Sequence, residues 1–174
     1  EIGVRLVGSE MCIRDRYAIH SASVLYKDKA WLFSGHSGAG KSTHTNMWKE
    51  LFNTPVINGD LNLIDINTTD GIPVVIGIPW CGTSGIYTSR SYPLGGITFI
   101  KKDITDQVRR IDGDDAVLSI AQRMISPCWN TRLLENNLAA SEKIAAGITV
   151  FRLCCTKNPS SAFLMKEEID NEYH

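Results

Sequence analysis

The stretch AWLFSGHSGAGKSTHTNMW, residues 30–48, decides the fold, because it joins an apolar run to a glycine-rich turn and then to a helical pattern. The apolar run is typical of a buried strand. Residues 35–42 match the pattern G-x-x-x-x-G-K-[ST] in full. Apolar residues then recur at the spacing of a helix that packs on a sheet, at Met47, Trp48, Leu51 and Phe52. Strand, loop and helix in this order predict a phosphate-binding loop, or P-loop, of the Walker A type.

The chemistry of such a loop assigns roles to its residues. Backbone N–H groups and the positive end of the following helix form a site for phosphate oxygens. Lys41 is expected to reach the β and γ phosphates, and Ser42 is expected to offer its hydroxyl to Mg²⁺. The nucleotide-binding residues predicted in this way are Gly35, His36, Ser37, Gly38, Ala39, Gly40, Lys41, Ser42 and Thr43.

Composition limits the kind of protein this is. The chain has 174 residues, 43% of them hydrophobic and 21% charged, which predicts one compact domain with a full-sized core. The net charge is −1, without a block of like charge, so neither nucleic acid nor a membrane surface is expected as a partner. The five cysteines are odd in number and lack metal-ligand spacing, which favours reduced thiols and a cytoplasmic location.

The N-terminal stretch LVGSEMCIRDR, residues 6–16, has neither helical nor strand periodicity. It resembles translated adapter sequence from a DNA sequencing library. We therefore predict that residues 1–16 are a non-native leader, to be set apart from the fold as a tag would be. The alternative is a native but irregular leader. Residues 17–174 are predicted to form a single nucleotide-binding domain.

Beyond the loop, apolar runs and turns alternate. The segments SASVLY, AWLFSG, TPVING, LNLIDI, IPVVIGIP, GGITFIKK and ITVFRLCC are typical of strands. Helical periodicity appears in residues 41–52, 114–124, 131–146 and 160–169, and in the third of these helices the apolar stripe is Leu134, Leu138 and Ala145. Hairpins and helical crossovers are both implied. The predicted fold class is therefore α/β with a mixed sheet.

Asp60 is the best candidate for a metal ligand and a general base. It follows the TPVING strand, which would deliver its carboxylate to the nucleotide loop. Mg²⁺ beside phosphates usually takes one or two carboxylates together with water. A base must lie within hydrogen-bond reach of the hydroxyl that it deprotonates. With Ser42, Asp60 makes up the predicted metal site, while an ordinary turn aspartate is the alternative interpretation.

The segments IHSASVLYKDKAWLFSGHSGAGKST and VINGDLNLI resemble the catalytic domain of HPr kinase/phosphorylase, a group related in fold to ATP-dependent phosphoenolpyruvate carboxykinase. The resemblance implies ATP and Mg²⁺ as cofactors and phosphoryl transfer to serine. It also implies a catalytic role for His20, which occupies the place of a family histidine. The family has two adjacent aspartates where this chain has Gly59 and Asp60. One carboxylate is thus absent, and Asp60 has to serve both roles or act through water.

Residues 77–102 resemble the corresponding segment of uncharacterised bacterial relatives of HPr kinase, which points to a different acceptor. The loop at residues 80–85 is rich in small polar groups, as a loop facing an acceptor would be. Arg90 is a candidate for neutralising the transferring phosphoryl group, with an ordinary surface arginine as the alternative. Arg152 resembles a family arginine near the end of the domain.

Three functions remain open from the sequence. The first is an ATP-dependent kinase acting on a hydroxyl, such as a serine of a protein or peptide, because positioning, Mg²⁺, a lysine and a base suffice for that reaction. The second is a small-molecule kinase or a phosphoenolpyruvate carboxykinase-like enzyme. The third is a regulatory module that binds nucleotide without catalysis. The catalytic residues predicted for the first are Asp60, Lys41, His20 and Arg90, and a homo-oligomer is compatible with all three.

Overall fold

The computed structural model describes residues 16–80, 82, 85–125 and 129–172. Its strands are β1 (Arg16–Tyr26), β2 (Lys29–Ser34), β3 (Val56–Asn58), β4 (Leu61–Asp65), β5 (Val74–Ile76), β6 (Ser91–Lys102), β7 (Gln107–Ile111) and β8 (Thr149–Cys155). The helices of the described residues are α1 (Lys41–Phe52), α2 (Gly113–Ala121), α3 (Thr131–Gly147) and α4 (Ser160–Asn171). This is a mixed α/β fold, as the sequence predicts.

Two long strands, β1 and β6, organise the sheet. The first part of β1, to His20, pairs antiparallel with β4, and the second part, from Ser21, pairs with β2 and β3. Likewise β6 pairs first with β5 and then, in parallel, with β2 and β8. The strands β1, β2, β6, β5 and β4 therefore close a ring. Because β2, β6 and β8 are parallel, their carboxyl ends meet at one edge, the usual place for ligands in α/β sheets.

Helices cover both faces of the parallel strands. Alternate residues of β2 point to opposite faces, so that Leu32 joins a core cluster with α2 and α3, while Phe33 joins one with α1 and α4. Trp48 of α1 is fully buried against Phe33. This packing fixes α1 directly after β2 and so sets the position of the loop between them.

Two details differ from the sequence predictions. Strand β1 begins at Arg16, the last residue of the predicted leader, and Arg16 Nε lies 3.2 Å from Asp65 Oδ2; residues 1–15 lie outside the described residues. The predicted apolar stripe of the third helix is confirmed at Ala145, which packs against the core, and is wrong at its two leucines. Leu134 and Leu138 are exposed. The face that α3 buries consists of Asn137, Ala140, Ser141 and Ile144.

The helices of the described residues are all too short or too polar to cross a membrane.

Candidate functional site

The predicted phosphate-binding loop spans residues 35–40 and joins β2 to α1. It lies beside the end of β6, since Ser34 pairs with Phe99 in the parallel register. A Cβ atom at Gly35 would come within 2.8 Å of the Ile100 carbonyl oxygen. Gly38 and Gly40 have φ angles of 72° and 109°, in the region that favours glycine. The backbone shape of the loop therefore depends on the glycines of the motif.

Helix α1 opens toward this loop without a side-chain cap. Gly40 is its N-cap residue and makes no side-chain hydrogen bond. The first N–H groups of a helix have no partner within the helix, and they carry partial positive charge. The hydroxyls of Ser42 and Thr43 lie on the exposed side of this first turn. A phosphate group fits these donors.

His20 and Asp60 meet because β1 changes partners at this point. His20 pairs with Leu61, the first residue of β4, and Asp60 immediately precedes Leu61. The Ser21 N–H donates to the Asp60 carbonyl at 3.0 Å. His20 Nε2 lies 3.1 Å from Asp60 Oδ1, so a proton on Nε2 is donated to the carboxylate. The second carboxylate oxygen, Oδ2, is left for other partners.

Asn58 fixes the turn that carries Asp60. Its Oδ1 accepts the backbone N–H of Asp60 at 2.9 Å and that of Leu61 at 3.1 Å. Its Nδ2 donates to the carbonyls of Ile78 and Trp80 at 3.1 and 3.0 Å. One buried amide thus connects the Asp60 turn to the loop that follows β5. The sequence analysis gave Asn58 no role, although it stands in the VINGD segment.

Lys41 is the most buried cation of the site. It is only 9% exposed, yet its ammonium group has no hydrogen bond or ion pair within the described part of the chain. Burial lowers its pKa, the charge of Asp60 opposes this, and the positive charge of Arg123 lowers the pKa further. A buried ammonium that is coupled electrostatically to a carboxylate and a guanidinium is suited to an anionic ligand.

Arg123 is a cation of the site that sequence reasoning missed. It follows α2, and its carbonyl accepts the His20 N–H at 3.0 Å. Arg123 Nη2 lies 3.1 Å from His36 Nε2, over the phosphate-binding loop. Arg123 comes from a distant segment and lies in no motif. The pairing of Met124 with Ile19 of β1 brings it to the site.

A basic cleft of about 430 Å³ adjoins the loop. Its floor includes the loop residues and the end of β6. Four cationic side chains line it: Lys101, Lys102, Arg123 and Arg152. Among the described residues, no aspartate or glutamate lines it. Arg152 is held by a hydrogen bond to Ser119 Oγ at 3.3 Å. The cleft is therefore suited to an anion.

The loop after β5 passes directly over Asp60. A Cβ atom at Gly82 would come within 2.8 Å of the Asp60 Cγ and within 2.9 Å of its Oδ2. Trp80 and Tyr87, which belong to the same loop, are 53% and 52% exposed. Arg90 is exposed at the base of the loop, where its carbonyl accepts the Gly77 N–H at 3.1 Å. Among the described residues, Arg90 makes no contact with Lys41 or Asp60 that would place it in the site. Cys81, Thr83 and Ser84 of the predicted acceptor loop lie outside the described residues.

The predicted Mg²⁺ ligands have suitable chemistry. Asp60 Oδ2 and the Ser42 hydroxyl have no hydrogen bond among the described residues. No cluster of three histidine, cysteine, aspartate or glutamate side chains with metal-binding geometry occurs in that part of the chain. Oxygen ligands from one carboxylate and one hydroxyl fit Mg²⁺ that is also bound by phosphates and water. They do not fit a dedicated all-protein metal cage.

Comparison with known proteins gives a fold likeness. No model of a known protein family matches the chain, and no curated protein matches it. The fold is similar to that of the HPr(Ser) kinase/phosphatase from Coxiella burnetii, with a TM-score of 0.48 and 9% sequence identity. The alignment covers 90% of this chain and 90% of that one. At this distance the likeness carries no functional conclusion, and the function proposed below rests on the geometry of this chain.

Proposed function

We propose that this protein is an ATP-dependent phosphotransferase that transfers the γ-phosphoryl group to a hydroxyl. One observation carries the proposal. The Lys41 ammonium, at the head of a complete phosphate-binding loop, is electrostatically coupled to Asp60, whose carboxylate is oriented by His20. Phosphate site, cation and oriented carboxylate are the parts that phosphoryl transfer requires.

Each residue has a role in this proposal. Lys41 and the N–H groups of α1 hold the phosphates, and Arg123 adds positive charge where negative charge develops. Ser42 and Asp60 would hold Mg²⁺, which supplies charge neutralisation on the phosphoryl oxygens when it is bound. His20 keeps one oxygen of Asp60 engaged, so that the other faces the acceptor.

In the proposed reaction, Asp60 takes up the proton that the acceptor hydroxyl loses. Its Oδ2 accepts the proton of the acceptor hydroxyl, directly or through one water molecule, as the acceptor oxygen forms its bond to the γ-phosphorus. The bond from that phosphorus to the β–γ bridging oxygen breaks, and the electron pair leaves with ADP. Lys41 and Arg123 stabilise the charge on the oxygens around the transferring phosphorus.

Two classes of acceptor are favoured by different observations. The exposed side chains of Trp80 and Tyr87, on the loop that passes over Asp60, offer apolar contact to a peptide, which favours a serine of a protein or peptide. The basic cleft favours instead a small acceptor with a carboxylate or phosphate group. The peptide acceptor is our first proposal, because those rings lie on the same loop that faces Asp60.

The test is substitution of Asp60 by Asn in a transfer assay with γ-labelled ATP at saturating Mg²⁺. We expect transfer to fall by at least about 10²-fold, the lower end of general-base contributions, with a smaller loss of ATP binding. Asp70→Asn is the matched control, because Asp70 lies in an exposed turn and only bonds the Ile72 N–H. Serine peptides, small hydroxy acids and water are each offered as acceptors.

The outcomes separate the candidates. Transfer by Asp60→Asn at the parent rate would contradict the role of Asp60 and make His20 the next residue to substitute. Labelling of a hydroxy acid but of no peptide would replace the peptide proposal by the small-molecule one. A parent protein that binds ATP and labels no acceptor would be a non-catalytic nucleotide-binding module, which the single carboxylate of the Gly59-Asp60 pair favours.

A further inference from the structure

The loop between β5 and β6, residues 77–90, returns to the sheet along β3. The Thr88 N–H donates to the Ile57 carbonyl at 3.0 Å, and Tyr87 forms an antiparallel bridge with Asn58. These two residues of β3 immediately precede the turn that carries the candidate base. The returning arm of the loop is therefore held against the strand that leads into that turn.

The outgoing arm of the loop is held by the side chain of Asn58. Its Nδ2 donates to the carbonyls of Ile78 and Trp80, at 3.1 and 3.0 Å. Its Oδ1 accepts the backbone N–H groups of Asp60 and Leu61, at 2.9 and 3.1 Å. Asn58 is only 1% exposed, so these four bonds are shielded from water. One side chain thus joins the loop to the turn that carries Asp60.

The four partners of Asn58 require an amide. An amide NH₂ group offers two donors, and an amide oxygen offers two lone pairs. The reverse orientation would point the NH₂ group at two N–H groups and the oxygen at two carbonyl oxygens, so the amide has one orientation here. A buried polar group with all its hydrogen bonds made stiffens the segments that it joins. Asn58 therefore fixes the position of the loop relative to the turn.

This junction connects the two halves of the proposed transfer, and the inference rests on that proposed function. Asp60 is the proposed base, and Trp80 and Tyr87 of the loop are proposed to contact the acceptor. A Cβ atom at Gly82 would come within 2.9 Å of Asp60 Oδ2, so a small shift of the loop alters the space beside that oxygen. We infer that Asn58 is a positioning residue that aligns the acceptor loop with the base. Its Nδ2 sets where the acceptor is held, and its Oδ1 sets where the carboxylate stands.

The first test is Asn58→Asp in the transfer assay described above, with the serine peptide that the parent protein labels best. The substitution keeps an acceptor oxygen for the turn. It removes at least one of the two donors for the loop, whether or not the new carboxyl group is ionised. We expect the KM for the peptide to rise about tenfold or more, the equivalent of losing one good contact, with a smaller fall in kcat. The affinity for ATP, measured by calorimetry, should stay within about twofold, because the phosphates are held by the loop before α1.

Asn62→Asp is the matched control. Asn62 is also 1% exposed, and its amide bonds Ser21 and Ser23 of β1 and not the acceptor loop. It should lower the thermal midpoint without a selective rise in the KM for the peptide. An unchanged KM in Asn58→Asp, or an equal rise in both variants, would overturn the inference.

Amide hydrogen exchange, followed by NMR without substrate, tests the two attachments of Asn58 separately. The Gly77 N–H closes the base of the loop, and the Leu61 N–H faces the oxygen that Asn58→Asp retains. We expect Asn58→Asp to speed exchange at Gly77 about tenfold more than at Leu61, the equivalent of one hydrogen bond, and Asn58→Ala to speed both. Equal effects of Asn58→Asp on the two amides would overturn the inference. Absence of transfer by the parent protein would instead contradict the proposed function, and the acceptor part of the inference with it.

Discussion

The two carboxylate oxygens of Asp60 have different neighbours. His20 engages Oδ1, and a Cβ atom at Gly82 would come within 2.9 Å of Oδ2. Only a residue without a Cβ atom leaves space for the acceptor beside that oxygen. Gly82 also has a φ angle of 56°, where side chains are strained. The requirement for glycine at residue 82 is therefore both steric and conformational.

We expect Gly82→Ala to lower turnover by about 10- to 100-fold, because a displaced carboxylate loses its alignment with the acceptor. Binding of ATP should change little, since the phosphates contact the other side of the site. Gly85→Ala is the matched control, with a φ angle of 66° and open space around its Cβ position. Turnover and ATP affinity are measured for both variants. Equal losses of turnover would mean that loop strain, and not the contact with Asp60, is responsible.

Arg90 and Arg123 are the two candidates for the cation that assists the proposed transfer. The sequence analysis proposed Arg90, and the structure brings Arg123 close enough to Lys41 to lower the Lys41 pKa. We expect Arg123→Ala to lower turnover by about 10²-fold, as the loss of one preorganised donor does. Arg90→Ala is measured in parallel by steady-state kinetics. A fall in turnover with Arg90→Ala alone would assign the role to Arg90.

At the level of elements, α4 is tied to the β1–β2 hairpin by one carboxylate. Asp170 accepts hydrogen bonds from Tyr26 Oη at 2.7 Å and from Lys166 Nζ at 2.6 Å, and Lys27 Nζ lies 2.8 Å away. Burial raises the pKa of Asp170, but these three partners outweigh burial and hold it well below the ordinary value. Ionised Asp170 therefore stabilises the folded state.

The pH dependence follows from the sign of that shift. A carboxyl group with a folded pKa below its unfolded value of about 3.9 stabilises the protein above that pH, and the contribution is lost as the pH falls toward the folded pKa. We expect Asp170→Asn to lower the free energy of unfolding by about 1–2 kcal/mol at pH 7, and by progressively less below about pH 4. Urea unfolding at several pH values measures this. Glu167→Gln is the control on the exposed side of α4, and a pH-independent loss would contradict the ionic explanation.

The sequence predicts the positions of helices and strands better than it predicts which face of each is buried. Strong local patterns mark β2, α1 and β8, because most of their apolar residues enter the core, although Leu51 of α1 is exposed. Strand β7 was missed, since it is an edge strand with the exposed residues Arg109 and Arg110, and its pairing partner supplies the order that its own pattern lacks. The face of α3 was mistaken because Ala140 and Ser141 allow close packing, and Ser141 Oγ contacts Met124 Sδ at 3.5 Å.

Local sequence patterns also predict the candidate functional site only in part. Lys41 and Ser42 belong to one contiguous motif, so local sequence predicts them together. His20 and Asp60 could be named one at a time, but their contact depends on the register of β1 with β4. Arg123 and Asn58 reach the site only through long-range pairing, which no local pattern encodes.

On the scale of the whole molecule, the proposed phosphate site joins elements from distant parts of the chain. Strands β2, β6 and β8 end beside it, α1 begins in it, and β1 with the turn before β4 brings His20 and Asp60. A ligand bound there would lie between the loop before α1 and the end of α2, which pack on opposite faces of the sheet. Binding should therefore stabilise the cooperative fold and not one loop alone.

We expect Mg²⁺ and ATP together to raise the thermal midpoint of the whole protein. A ligand at about 100 times its Kd adds roughly 2.7 kcal/mol to the free energy of unfolding. For a domain of this size each kcal/mol moves the midpoint by about 2–4 °C, so the rise should be about 5–10 °C by scanning calorimetry. Lys41→Ala should lose most of this rise, because the β and γ phosphates lose their buried counterion. An equal rise in the parent and in Lys41→Ala would mean that the nucleotide binds elsewhere. The binding free energy of any phosphate group at the proposed loop depends on the positive charge of Lys41.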